Sequence, residues 1–165
     1  MKAIHSAKRG FTLIEILIVI GIIAILAAIV IIAINPAKQF AQARNTQRQA
    51  AVNTILNAIG QRIADNKGTF GGSFTIGTNT YTCPTLPPST PSTPIDNGAG
   101  TGLDFSCLQP TYVASLPVDP DATYATGVYT GYDVGTDATG RVTVCANQAA
   151  TETSIPGAAA ICVTR

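Results

Sequence analysis

Apolar residues are crowded into the start of this chain and then thin out abruptly. Residues 11–34 read FTLIEILIVIGIIAILAAIVIIAI, apolar on every face of any helix, with one carboxylate at Glu15 and no lysine, arginine or histidine. Twenty-four residues at about 1.5 Å each reach roughly 36 Å, enough for a hydrocarbon core about 30 Å thick. Eleven of them are isoleucine, a poor helix former in water. In lipid the backbone must satisfy its own hydrogen bonds, so a lone span has to be helical. A membrane-spanning helix is predicted over 11–34.

Beyond it the pattern changes at Asn35-Pro36, where proline removes a backbone donor and clashes with the preceding turn. A kink or local unwinding is expected near residues 32–36, either a simple kink at the membrane exit or a segment that melts. Residues 37–64 then follow a helical period. Val52, Ile55, Leu56, Ile59 and Ile63 form one apolar stripe, and Arg44, Arg48, Gln49 and Arg62 supply polar faces. Asp65-Asn66-Lys67-Gly68 is a helix stop. Residues 68–110 carry little periodicity, and within them PTLPPSTPSTP at 84–94 predicts a surface excursion with polyproline character, its hydroxyls open to O-glycosylation. Strand signals return at Tyr124–Val134, Arg141–Ala146 and Ala159–Thr164, the first two joined by a GTDATG hairpin connection. The expected class is α+β: a long N-terminal helix, transmembrane in its first half, packed against a small antiparallel sheet.

Charge and cysteine content sharpen this picture. The formal net charge is +1, but Lys2, Lys8 and Arg9 all precede the span; without residues 1–10 seven basic residues face nine acidic ones. A strongly basic nucleic-acid binder would look different. Lys38, Arg44 and Arg48 balance the leader cations across the span, so charge alone does not orient it. All four cysteines lie beyond residue 80, which fits disulfides in an oxidising compartment and puts the N-terminus on the cytoplasmic side. Of three pairings, Cys83–Cys107 and Cys145–Cys162 are favoured because each closes a compact local loop. The spacings suit no zinc site.

Glu15 is what a plain anchor leaves unexplained. A carboxylate in a bilayer costs on the order of 2.5–3.5 kcal/mol at the centre, less near an end, and needs a partner. Cleavage after Gly10 would create an amine on Phe11, one helical turn from Glu15, in the same chain or a neighbour. Lys8-Arg9-Gly10 followed by Phe11-Thr12-Leu13-Ile14-Glu15 and a long apolar run resembles the class III leader of type IV prepilins and pseudopilins. The resemblance implies a leader at 1–10 removed by a prepilin peptidase, N-methylation of Phe11, and pairing of Glu15 with the Phe11 amine of an adjacent subunit. It also implies a pilin fold: helix 11–65 as spine and a head at 66–165. Its localisation would be a single-pass precursor in the inner or cytoplasmic membrane, then an extracellular filament of this chain with other pilins.

No chemistry is expected in the head. His5, the only histidine, falls in the leader, which leaves no Ser-His or Cys-His pair, and no phosphate loop is present. No cofactor or metal is expected. Calcium would require Asp119, in a Leu116–Pro120 segment resembling that of secretion pseudopilins, to be joined by Asp121, Asp133 and Asp137. The aromatic-glycine continuation of that segment in those pseudopilins is absent, and Asp121-Ala122-Thr123 stands in its place. The alternatives to a pilus subunit are a type II secretion pseudopilin and a competence pilin that binds DNA through Arg44, Arg48, Arg62 and Arg141, residues that equally make a solvated face.

Overall fold

The computed structural model describes residues 10–88 and 90–165; the leader cations and His5 lie outside the described residues. The chain divides into two compact units, Met1–Gln39 and Phe40–Arg165.

In the first unit, helix α1 runs Leu13–Ala33 and buries none of its residues. Its 21 residues are long and apolar enough to cross a membrane. The helix does not continue through Pro36. Ile34 is extended (φ −96°, ψ 117°), and Asn35 restarts the chain as the cap of helix α2, Pro36–Asp65. The Asn35 side-chain oxygen accepts from the Lys38 amide at 3.2 Å. Proline suits this first helical position, where its missing N–H is needed by nothing, and it pushes the residue before it out of the helical region. The result is an interruption of two residues at 34–35.

In the second unit, α2 belongs to the head rather than to a spine separate from it. From Ala41 onward it buries one side, including Val52, Ile55, Leu56, Ala58 and Ile59. It closes where Lys67 (φ 55°) and Gly68 (φ 94°) turn left-handed and the Gly68 amide reaches back to the Ile63 carbonyl at 2.9 Å, a glycine-terminated helix end. The stripe faces a five-stranded sheet of order β4-β3-β5-β6-β7, built from β3 (Thr93–Asp96), β4 (Leu103–Asp104), β5 (Tyr129–Thr136), β6 (Val142–Ala146) and β7 (Ile161–Thr164). Ile95, Tyr132, Val134, Val142, Val144 and Ala146 complete the core with Phe70, Phe105 and Leu108. Every pairing is antiparallel except the two-residue contact of β3 with β4. A separate antiparallel hairpin joins β1 (Gly72–Ile76) to β2 (Asn79–Cys83).

Residues 68–110 therefore hold four strands where periodicity predicts almost none. Strand β1 half-buries Phe74 alone amid exposed residues, and β2 half-buries Tyr81 and buries only its last residue, Cys83, too little alternation to read. Strand β3 emerges from the proline-rich run itself, and its register slips between Pro94 and Asp96, the kind of irregularity that accommodates a proline. Conversely residues 124–128 are turn, not strand. Gly127 takes φ 62° there, and β5 begins only at Tyr129.

Disulfides join Cys83 to Cys107 and Cys145 to Cys162. The first ties β2 to the short 3-10 turn Ser106–Leu108, with both cysteines inside the core. Under the loop-entropy model, closing a loop of 24 residues contributes about 3 kcal/mol. Replacing Cys83 and Cys107 together by serine is expected to lower head stability by about that amount, measured by denaturant unfolding; an unchanged midpoint would remove the staple from the account.

Candidate functional site

Two sites collect the residues that sequence singled out. The first is the start of α1. Thr12 is its N-cap, and Glu15 occupies the third helical position. Glu15 Oε2 accepts from the Thr12 amide at 2.7 Å and from the Thr12 hydroxyl at 2.8 Å. The Glu15 amide donates to the Thr12 hydroxyl at 3.3 Å. This is a complete capping box, in which each side chain satisfies a backbone donor the helix leaves orphaned. Both bonds to the carboxylate fall on one oxygen, and neither partner is a cation. Just before it, Gly10 is exposed and open, and Phe11 is 85% exposed. The Gly10–Phe11 junction is thus reachable.

The second site was not legible as one: a buried ionic cluster that binds α2 to two distant segments. Arg48 is 0% exposed, contrary to the expectation of a polar face. Its Nε and Nη2 donate to Asp119 Oδ2 and Oδ1 at 2.7 and 2.9 Å. Its Nη1 donates to Glu152 Oε1 at 2.6 Å and to Asn45 Oδ1 at 2.9 Å. Arg44 completes the set with Nε and Nη2 on Glu152 at 2.8 and 2.5 Å. Two-pronged guanidinium–carboxylate contacts of this kind are the strong, directional ones. Burial works against the Arg48 charge, but the hydrogen bonds it donates to Asp119 and Glu152 outweigh it and hold the guanidinium more firmly protonated. The Arg44 hydrogen bonds, with those of Arg48, push Glu152 down to about 2.

Asp119 reaches this position through the backbone. Its amide donates to the Thr130 carbonyl at 2.8 Å, which lays the Leu116–Pro120 segment against β5. Gly131 sits opposite at φ +89°, and a Cβ there would stand 2.5 Å from the Asp119 Cβ. Only glycine fits that close approach in that conformation.

Arg62 departs from the expected polar face as well. It is buried, donates to the Gly72 carbonyl at 3.1 Å and lies 4.4 Å from the centre of the Phe74 ring. A signal for both arginines exists in the sequence: Arg48 precedes Val52 by four residues and Arg62 follows Ile59 by three, so both fall on the apolar stripe. Of the four arginines weighed for DNA, Arg141 alone is exposed and makes no side-chain ion pair among the described residues.

The four candidate calcium aspartates are not gathered. Asp119 is held by Arg48; Asp121 and Asp137 accept from Thr123 and Thr139 in local turns; Asp133 accepts from Asn147 and Tyr129. Among the described residues no group of three or more His, Cys, Asp or Glu could hold a metal ion.

Residues 5–33 match the family model of the prokaryotic N-terminal methylation motif. The match ends with α1 and does not reach the head. No curated protein and no solved structure matches the chain. The matched motif is the one carried by pilin- and pseudopilin-like precursors, the α+β arrangement is consistent with the pilin fold, and the N-terminal segment fits a membrane-anchored precursor.

Arg48→Met would leave Asp119 buried without its cation and Glu152 with Arg44 alone, a loss of about 3–5 kcal/mol. Thermal unfolding of the head is expected to fall by about 10–20 °C. Arg44→Ala, at a half-exposed rim position, should cost about 1 kcal/mol or less.

Acid should loosen the same cluster. Folded Glu152 titrates at about 2 against 4.5 for the ordinary group. The unfolded chain therefore takes up that proton first, so the stability Glu152 supplies is whole above about pH 5 and is lost as the pH falls towards 2. Asp133, pushed up by burial, works in the opposite direction. Glu152→Gln should flatten the decline in unfolding free energy between about pH 5 and 2, and an unaltered slope would refute the assignment.

Proposed function

We propose that this protein is a structural subunit that polymerises into an extracellular type IV pilus-like filament after cleavage between Gly10 and Phe11 and methylation of the Phe11 amine. The observation that carries this reading is Glu15. It is the one ionisable side chain in residues 11–34, and its hydrogen bonds come from Thr12 alone. In the bilayer that charge has no counter-ion from its own helix. The Phe11 amine of a neighbouring chain, freed by a prepilin peptidase, supplies one, and the same pairing fixes how far one subunit is displaced along the next. The apolar faces of α1, solvated by lipid before assembly, then pack against copies of themselves or other pilins. The interruption at Ile34–Asn35, held by Pro36, is where the chain can yield or unwind as subunits pack.

A pseudopilin of type II secretion is the second reading. It is favoured by the Leu116–Pro120 segment, which resembles the corresponding segment of those proteins. Localisation separates the two, since pilus subunits shear from the cell surface and pseudopilus subunits stay within the envelope.

Glu15→Ala is expected to leave membrane insertion and leader cleavage intact while abolishing filaments in sheared fractions viewed by electron microscopy. Filaments at wild-type abundance would overturn the role of Glu15. N-terminal sequencing of the wild-type polymer should begin at methylated Phe11, and a polymer that retained Met1 would sink the whole reading.

A further inference from the structure

The two disulfides differ in one respect that decides their chemistry. Cys83 and Cys107 are each 3% exposed and belong to the hydrophobic core. Cys145 is 1% exposed, but its partner Cys162 is exposed. Cys145 and Cys162 face each other directly across β6 and β7. They lie on the side of the sheet opposite Val142, Val144 and Ala146, beside the Thr143–Thr164 hydroxyl pair at 2.7 Å. Strand β7 is the last in the sheet, so no further strand lies beyond Cys162.

We infer that Cys145–Cys162 is a thiol–disulfide exchange site, opened at Cys162 by dithiol reductants, while Cys83–Cys107 is closed to them. Exchange requires a thiolate to attack one disulfide sulfur, so access selects both the bond and the atom. The incoming thiolate bonds to Cys162 Sγ, the Cys145–Cys162 bond breaks, and Cys145 leaves as thiolate and takes a proton. The second thiolate of the reagent then attacks its own mixed-disulfide sulfur and frees Cys162, which is protonated in turn. The protein disulfide gains two electrons and two protons, and the dithiol loses them in closing its own disulfide.

Opening this bond leaves β7 tethered by other contacts. The Arg165 amide donates to the Val142 carbonyl at 2.9 Å, the Val142 amide donates to the Arg165 carbonyl at 2.8 Å, and the Arg165 guanidinium bonds Asn53 and Asn57. Ile161 and Val163 still pack on the core. Reduction therefore loosens one edge strand and leaves the helix and the remaining strands in place.

The test uses the full-length chain in detergent micelles at neutral pH. After brief exposure to dithiothreitol and alkylation, peptide mapping should find Cys145 and Cys162 modified about tenfold or more faster than Cys83 and Cys107. With glutathione in place of the dithiol, the trapped adduct should sit on Cys162. Hydrogen exchange of the reduced protein should rise at residues 161–165 and stay unchanged at Val52–Ile59 and in β5. Equal alkylation rates, an adduct on Cys145, or loss of protection throughout the sheet would each overturn the inference.

Discussion

One guanidinium holds the head together. Arg48 meets Asp119 and Glu152, partners 71 and 104 residues further along the chain, at a point from which water is excluded. A lysine could offer a point charge there but not a planar fork able to grip one carboxylate with two prongs and a second with a third. The geometry fixes the azimuth of α2, because rotating the helix would pull the fork from both acids. It also fixes the Leu116–Pro120 segment and the 3-10 turn Asn147–Thr151 that ends at Glu152. Gly131 is part of the same constraint, since its missing side chain is the space Asp119 occupies. A buried ion pair is weak evidence for added stability over apolar packing. What it supplies here is a single arrangement of segments that share few apolar contacts.

The cluster also redistributes charge. Arg44 and Arg48, two of the five cations from Lys38 to Lys67, are spent on Asp119 and Glu152, and Arg62 is spent on a carbonyl and an aromatic ring. The outward side chains of α2 are left uncharged over two turns and more: Gln47, Gln49, Thr54, Asn57 and Gln61. A basic helix in the sequence thus becomes a neutral one in the fold, and the case for DNA contact along α2 loses its material.

Legibility followed the strength of each local signal. Helix α1 announced itself through a run of apolar residues no soluble helix would tolerate, and the apolar stripe of α2 through spacings of three and four. The hairpin β1–β2 stayed hidden because serine and threonine occupy nearly every outward position and one aromatic per strand is not a period. Strand β3 stayed hidden because it contains a proline and pairs with a partner 33 or more residues away, so tertiary contacts, not propensity, make it a strand. Arg48 was misplaced for a related reason. A charge on an apolar stripe reads as surface until its counter-ions are known, and both counter-ions are remote in sequence.

Arg48 and Glu15 pose the same physical problem in different solvents. Each is an ionised group held where water is scarce, and each would be costly alone. The head solves its case internally: two carboxylates and an asparagine engage every nitrogen of the Arg48 fork. Helix α1 has no such resource among its side chains, since Thr12 provides hydrogen bonds to Glu15 but no positive charge, and residues 11–34 contain no cationic side chain. The hydrogen bonds satisfy part of the carboxylate's demand, enough for residence near a membrane surface, while the charge itself stays uncompensated. The head is closed on itself and the helix is left open at one charge, which is the charge that the proposed assembly assigns to a neighbouring subunit.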